Sequence, residues 1–148
     1  MDKFFDKILL KQNEIINTND YLYNKKNIGI YFSKLNCEPC VEFTKQLTEV
    51  YNKVKFIDND LFEVVFVSFD IMENLFDINY KKMPFLALPY NNYIQNDILK
   101  KMFKVNAIPN LIILNNNCEL IIKNGESLIK NNFNDINNFI DILNSKKM

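Results

Sequence analysis

The sequence predicts an α/β sandwich built around a mixed β-sheet. Three observations carry that expectation. Short β-branched and aromatic runs alternate with segments of helical periodicity, the last two strand-like runs follow one another without a helix between them, and 48% of the 148 residues are apolar. Strand–helix alternation builds parallel neighbours, and a closing strand pair adds antiparallel ones.

The elements follow in order. "KILLKQ" near the start reads as a short strand, and "NTND" after it as a turn. "NIGIYFS" (27–33) has the length and β-branched, aromatic composition of a buried strand. From Cys37 the period changes: Cys40, Phe43, Leu47, Val50, Tyr51 and Val54 recur at steps of three and four, which predicts an amphipathic helix of about four turns with Pro39 in its first turn. "FEVVFVSF" (62–69) is the strongest strand signal and reads as central to the sheet. Asp70 and Glu73 have the spacing of a capping box and predict a helix through Met72, Leu75, Phe76 and Tyr80. "KMPFLALPY" (82–90), with two prolines, reads as a structured connection, and 96–105 as a helix. "IPNLIIL" (108–114) is a strand entered through proline, and "ELIIK" (119–123) is its partner. The "NG" at 124–125 reads as a hairpin-type turn, and a last helix spans 132–144.

Composition excludes several chemistries. Acidic and basic residues number 18 each, which gives no electrostatic case for nucleic acid or an anionic membrane. All the basic residues are Lys. With no His there is no Cys–His pair, no Ser–His–Asp triad and no imidazole metal ligand. With no Arg there are no bidentate phosphate forks. Three cysteines make no disulfide framework, and no apolar run approaches a membrane span. The charged start lacks a leader-like apolar region, so the expectation is a cytoplasmic protein, with the nucleus as the alternative.

Cys37 and Cys40, in "SKLNCEPC", form the candidate site. A strand, a short loop and a helix opening at the cysteines is the context in which a Cys-x-x-Cys pair does redox chemistry. Backbone N–H groups and the positive end of the helix dipole favour a thiolate there, and the thiolate is the attacking species. Cys37 then attacks, and Cys40, one turn in, resolves. Two alternatives stand beside this one. A structural zinc needs four ligands, and the chain offers only Cys118 besides the pair, so no metal is expected. Buried, inert thiols are the other.

Four stretches taken together resemble the tryparedoxin and nucleoredoxin branch of the thioredoxin superfamily: "IGIYFSKLNCEPCVEFTKQLTEVYNKVK", "FEVVFVSFD", "KMPFLALPY" and "FKVNAIPNLIILNNN". The resemblance runs from about residue 28 to 115. It implies the thioredoxin fold, a central mixed sheet flanked by helices on both faces. The whole chain would be a single domain, with a core at 27–144 and an N-terminal extension or strand at 1–26. It further implies Cys37 as nucleophile, Cys40 as resolving thiol, and a cis Ile108–Pro109 bond that turns the Ile108 backbone toward the substrate. Tyr31 falls where thioredoxin itself has a buried acid and this branch an aromatic.

The chain also departs from the branch. Asn36 and Glu38 replace the Trp and the first Pro of Trp-Cys-Pro-Pro-Cys, Phe69 stands where relatives carry Trp, and Lys45 where they carry a kinking Pro. Asn36 is expected to cap the helix. Glu38 sets a carboxylate beside the Cys37 thiolate and raises its pKa, making the couple more reducing and slower to attack. The implied activity is reduction of disulfide-bearing protein substrates, with a low-molecular-weight dithiol, glutathione or a flavoprotein reductase upstream and no bound cofactor. The rival from another class is a thioredoxin-like interaction module with vestigial redox activity, motivated by Asn36 and Glu38. Cys118, apart from any partner motif, reads as a bystander.

Overall fold

A computed structural model describes residues 1–146. The chain runs α1 (Asp2–Phe5), β1 (Ile8–Lys11), β2 (Glu14–Asn17), α2 (Thr18–Leu22), β3 (Asn27–Ser33), α3 (Glu38–Ile57), β4 (Phe62–Ser68) and α4 (Glu73–Tyr80). It continues with β5 (Leu86–Ala87), α5 (Tyr93–Met102), β6 (Asn110–Asn115), β7 (Leu120–Ile122), α6 (Gly125–Asn132) and α7 (Ile136–Ser145).

All the strands join one mixed sheet in the order β2-β1-β5-β4-β3-β6-β7. β3 and β4 are parallel neighbours at its centre, and every residue of both is buried. This is why they read as continuous apolar runs instead of alternating ones. Successive side chains still point to opposite faces. Tyr31, Val64 and Phe66 meet Phe43, Leu47, Val50, Phe76, Phe139 and Leu143 of α3, α4 and α7. Ile30, Phe32, Val65 and Val67 meet Phe5, Leu22 and Leu99 of α1, α2 and α5 on the other side. Helices therefore cover both faces.

Register decides where chemistry can sit. Ser33 pairs with Ser68 at the C-terminal ends of β3 and β4, and the antiparallel β6 starts alongside them, with Asn110 opposite Phe32. One end of the central strands thus gathers the loop leaving β3, the end of β4 and the residue before β6.

Several local expectations are corrected. "NTND" is a helix start: the Asn17 side chain accepts the Asp20 N–H at 3.0 Å and α2 follows. "NG" is likewise a cap, Asn124 accepting the Ser127 N–H at 3.3 Å, and "ESLIK" is helical in α6. Asn serves turns and helix N-termini equally well; burial of Ile129 and Gly125 against β6 favours the helix. The "LALP" connection contains β5, parallel to β4 and antiparallel to β1, so β1 and β2 extend the same sheet. α5 begins at Tyr93, earlier than its periodicity suggested, because Asn92 caps it by accepting the Gln95 N–H. α3 is 20 residues long, more than the expected four turns, and α1 is an element the sequence did not announce. The helix after β4 starts at Glu73 with Met72 as its N-cap residue, so Asp70 does not cap it.

Candidate active site

β3 ends at Ser33, and three residues later the chain turns into α3. Asn36 makes the turn with φ 60°, a left-handed conformation that Asn tolerates better than most side chains. The expected cap is not formed. Cys37 occupies the N-cap position, with φ −122° and ψ 105°, and no side chain bonds to the helix start. Glu38 and Pro39 are the first two helical residues, both exposed.

Cys37 and Cys40 are joined by a disulfide, with their Cα atoms 5.2 Å apart. The two are not equivalent: Cys37 is half-buried, whereas Cys40 is only 2% exposed and faces the core side of the first turn. Cys37 is therefore the more accessible sulfur of the two, at the positive end of a 20-residue helix.

Two anchors hold this corner. Asp70, directly after β4, accepts the Leu35 N–H at Oδ1 (2.8 Å) and the Ser68 hydroxyl at Oδ2 (2.7 Å). Its own N–H donates to Ser68 Oγ at 2.8 Å, and Tyr90 donates to its carbonyl at 2.9 Å. The loop before Cys37 is thus fastened to the end of β4. Sequence reasoning assigned Asp70 to a helix cap and missed this role; the available signal was an acid just past a fully buried strand, at the end where the cysteine loop emerges.

The second anchor is Tyr31. Its hydroxyl lies 2.6 Å from Thr44 Oγ1 and donates more weakly to the Cys40 carbonyl at 3.4 Å, tying β3 to the first turns of α3. Its ring packs among Phe43, Phe66 and Phe85. Burial pushes the phenol above its ordinary value, against the opposite pull of the Ser33 and Thr44 hydroxyls. Tyr31 therefore stays neutral and offers no carboxylate to take a proton from Cys40.

The Ile108–Pro109 bond is cis, the isomer the resemblance implies. Because Asn110 pairs with Phe32, Pro109 lies alongside the end of β3, where the cysteine loop departs. Ile108 is partly buried and packs on the α5 side of the sheet. Phe69 is half-buried at the same end. Its ring meets Phe32 edge-on, Lys100 Nζ sits 4.0 Å over it, and its N–H donates to the Ser33 carbonyl at 2.8 Å. Burial lowers the Lys100 pKa, opposed by the Asp97 and Asp70 charges.

Cys118 lies elsewhere. It sits with φ 66° in the turn after β6, at the opposite end of the sheet, its sulfur 3.5 Å from that of Met1. Among the described residues, no group of three or more His, Cys, Asp or Glu side chains is placed to hold a metal ion.

The geometry agrees with comparisons to known proteins. A family model described as thioredoxin-like matches residues 24–120. Probable nucleoredoxin 1 of Arabidopsis thaliana is 43% identical over 111 residues, 75% of this chain but 19% of that protein, so the chain spans about a fifth of that relative's length. Tryparedoxin from Trypanosoma brucei superposes with a TM-score of 0.81 at 31% identity, over 91% of this chain and 93% of that one. Tryparedoxin II in complex with glutathionylspermidine superposes with a TM-score of 0.81 at 29% identity, over 88% and 90% of the two chains. With the family pattern spanning both cysteines and the cis proline, the chain belongs to the thioredoxin-like family, in its tryparedoxin and nucleoredoxin branch.

Proposed function

We propose that this chain is a thiol–disulfide oxidoreductase that reduces disulfides in protein substrates. The observation that carries the reading is the asymmetric Cys37–Cys40 pair, one sulfur reachable at a helix N-terminus and the other sealed one turn inside. In the reduced state the Cys37 thiolate attacks one sulfur of the substrate disulfide. A mixed disulfide forms, and the other substrate sulfur leaves as a thiolate. Cys40 then attacks Cys37 Sγ, the Cys37–substrate bond breaks, and the second substrate thiol departs. Two electrons have passed to the substrate, and the Cys37–Cys40 disulfide remains. Pro109 and the Ile108 backbone border the approach, and Asp70 and Tyr31 hold loop and helix in place.

Resetting the couple needs two thiol equivalents. A low-molecular-weight dithiol is the donor we favour, supported by the glutathionylspermidine complex of the related tryparedoxin II. Glutathione and a flavoprotein reductase are the alternatives, and a reducing compartment such as the cytosol suits all three.

Cys37→Ser is expected to abolish insulin reduction, and Cys40→Ser to accumulate mixed disulfides. Full activity in Cys37→Ser refutes the assignment of the nucleophile. Titrating the pair against defined dithiol buffers should give a two-electron transition between roughly −200 and −300 mV.

A second reading, an interaction module with weak chemistry, draws on the exposed Asn36 and Glu38. A large gain in insulin reduction by Asn36→Trp with Glu38→Pro favours that module. Little change favours a competent enzyme with different partners.

A further inference from the structure

A cavity of about 350 Å³ opens beside the cysteine pair, between the loop leaving β3, one flank of α3 and the end of α4. None of Asn36, Glu38, Phe69, Ile108 or Pro109 lines it. Cys40 forms part of its wall.

Its charge is one-sided. Lys34, Lys45 and Lys82 line the cavity, and no Asp or Glu does. None of the three is in an ion pair among the described residues, while five other lysines pair with carboxylates. Three lysines thus border one small concavity, and the Asp70 carboxylate that accepts the Leu35 N–H lies outside its lining. The wall also holds Ser33 and Asn79, whose Oγ and Nδ2 atoms are buried without a well-formed hydrogen bond. Ser33 is near the Tyr31 hydroxyl and influences it, yet lacks hydrogen-bond geometry to it. Buried polar atoms left in this state are costly, and an acceptor-rich occupant offers them partners after small side-chain movements.

We propose that this cavity binds a small, multiply charged oxyanion, a polycarboxylate or a phosphate-bearing metabolite. The volume lies at the small end of the range for metabolite pockets, roughly 300–1,000 Å³, and is too small for a folded partner. Lysines act as point charges and suit either oxyanion. The site does not depend on the disulfide reduction proposed above.

The test uses the oxidised full chain, so that no thiol exchange contributes. Amide shifts are followed by NMR during separate titrations with citrate and with pyrophosphate, at ionic strength held constant with sodium chloride. Saturable shifts centred on Lys34, Thr44 and Asn79 are expected. Lys45→Glu combined with Lys82→Glu, both at exposed positions, should keep the circular dichroism and melting temperature of the parent and weaken binding at least about tenfold. Saturation by citrate alone identifies carboxylates as the ligand class, and by pyrophosphate alone phosphates. Failure of both probes to saturate overturns the proposal, as does undiminished affinity in the double variant. Neither failure touches the role of Cys37 in disulfide reduction, which is read by insulin turnover.

Discussion

Replacing Asp70 by Ala removes the carboxylate that fastens the cysteine loop to β4. The side chain accepts the Leu35 N–H at 2.8 Å and the Ser68 hydroxyl at 2.7 Å, and the residue is only 8% exposed. Hydrogen bonds to a charged group contribute about 1.5–3 kcal/mol each, giving a naive loss of about 3–6 kcal/mol. Two features reduce it. Leu35 is half-buried, so its freed N–H can find water, and Ser68 Oγ still accepts the N–H of residue 70 at 2.8 Å. The expected loss is therefore about 2–4 kcal/mol. Asp70→Asn keeps the shape: its amide oxygen accepts from Leu35 and its amide nitrogen donates to Ser68, so about 1 kcal/mol is lost. Urea unfolding at unchanged slope measures both. Hydrogen exchange at the Leu35 amide should accelerate in the Ala variant well before global unfolding. An Ala variant within about 0.5 kcal/mol of the parent, with Leu35 protection unchanged, refutes the claim that Asp70 anchors the loop.

Three further outcomes are expected. In Gly125→Ala the new Cβ would lie 2.7 Å from the Leu111 carbonyl oxygen and 2.8 Å from its side chain, and since a strand carbonyl cannot easily give way the variant should lose roughly 1–3 kcal/mol; a neutral or stabilising result in urea contradicts that packing. Glu38→Gln removes the carboxylate next to Cys37, so the midpoint of the pH dependence of Cys37 alkylation should move down and the reduction potential up, and an unmoved midpoint shows that solvent screens the charge completely. Burial pushes the Tyr80 phenol up to about 12 from its ordinary 10.0, with Glu63 reinforcing the shift and the bond from the Gln12 N–H opposing it. Between those values the unfolded chain loses a proton that Tyr80 keeps in the folded protein, so the Tyr80 contribution to stability falls as pH rises through that window and is gone above it; burial also raises Tyr51 and Tyr31, so Tyr80→Phe should make the slope shallower, and an identical slope in both proteins counts against the assignment.

Legibility followed burial. β3, β4 and α3 were readable because their residues meet the core continuously or at helical spacing, and a local pattern records that directly. β5 was not: two residues between prolines carry no period, and they become a strand only because β4 and β1 supply partners on either side. The asparagine segments failed for a different reason. Asn17 and Asn124 have identical local options as turn residue or cap, and the choice belongs to whatever the following residues pack against. Asn36 shows the converse, a good capping residue drawn into a left-handed turn while Cys37 takes the cap position.

By itself, the sequence determined the α/β architecture, the placement of Cys37 and Cys40 at the start of a helix after a buried strand, and, through the absence of His and Arg, the chemistries closed to this chain. These follow from composition and short-range periodicity, which the folded state cannot change. Only the tertiary structure decided that Cys40 is sealed while Cys37 is reachable, that Asp70 reaches back across 35 residues to Leu35, and that Lys34, Lys45 and Lys82 surround one cavity without a carboxylate among them. Each of these depends on the register of β3 against β4 and on where α3 and α4 come to rest. Those are long-range packing outcomes, and no local stretch of sequence encodes them alone.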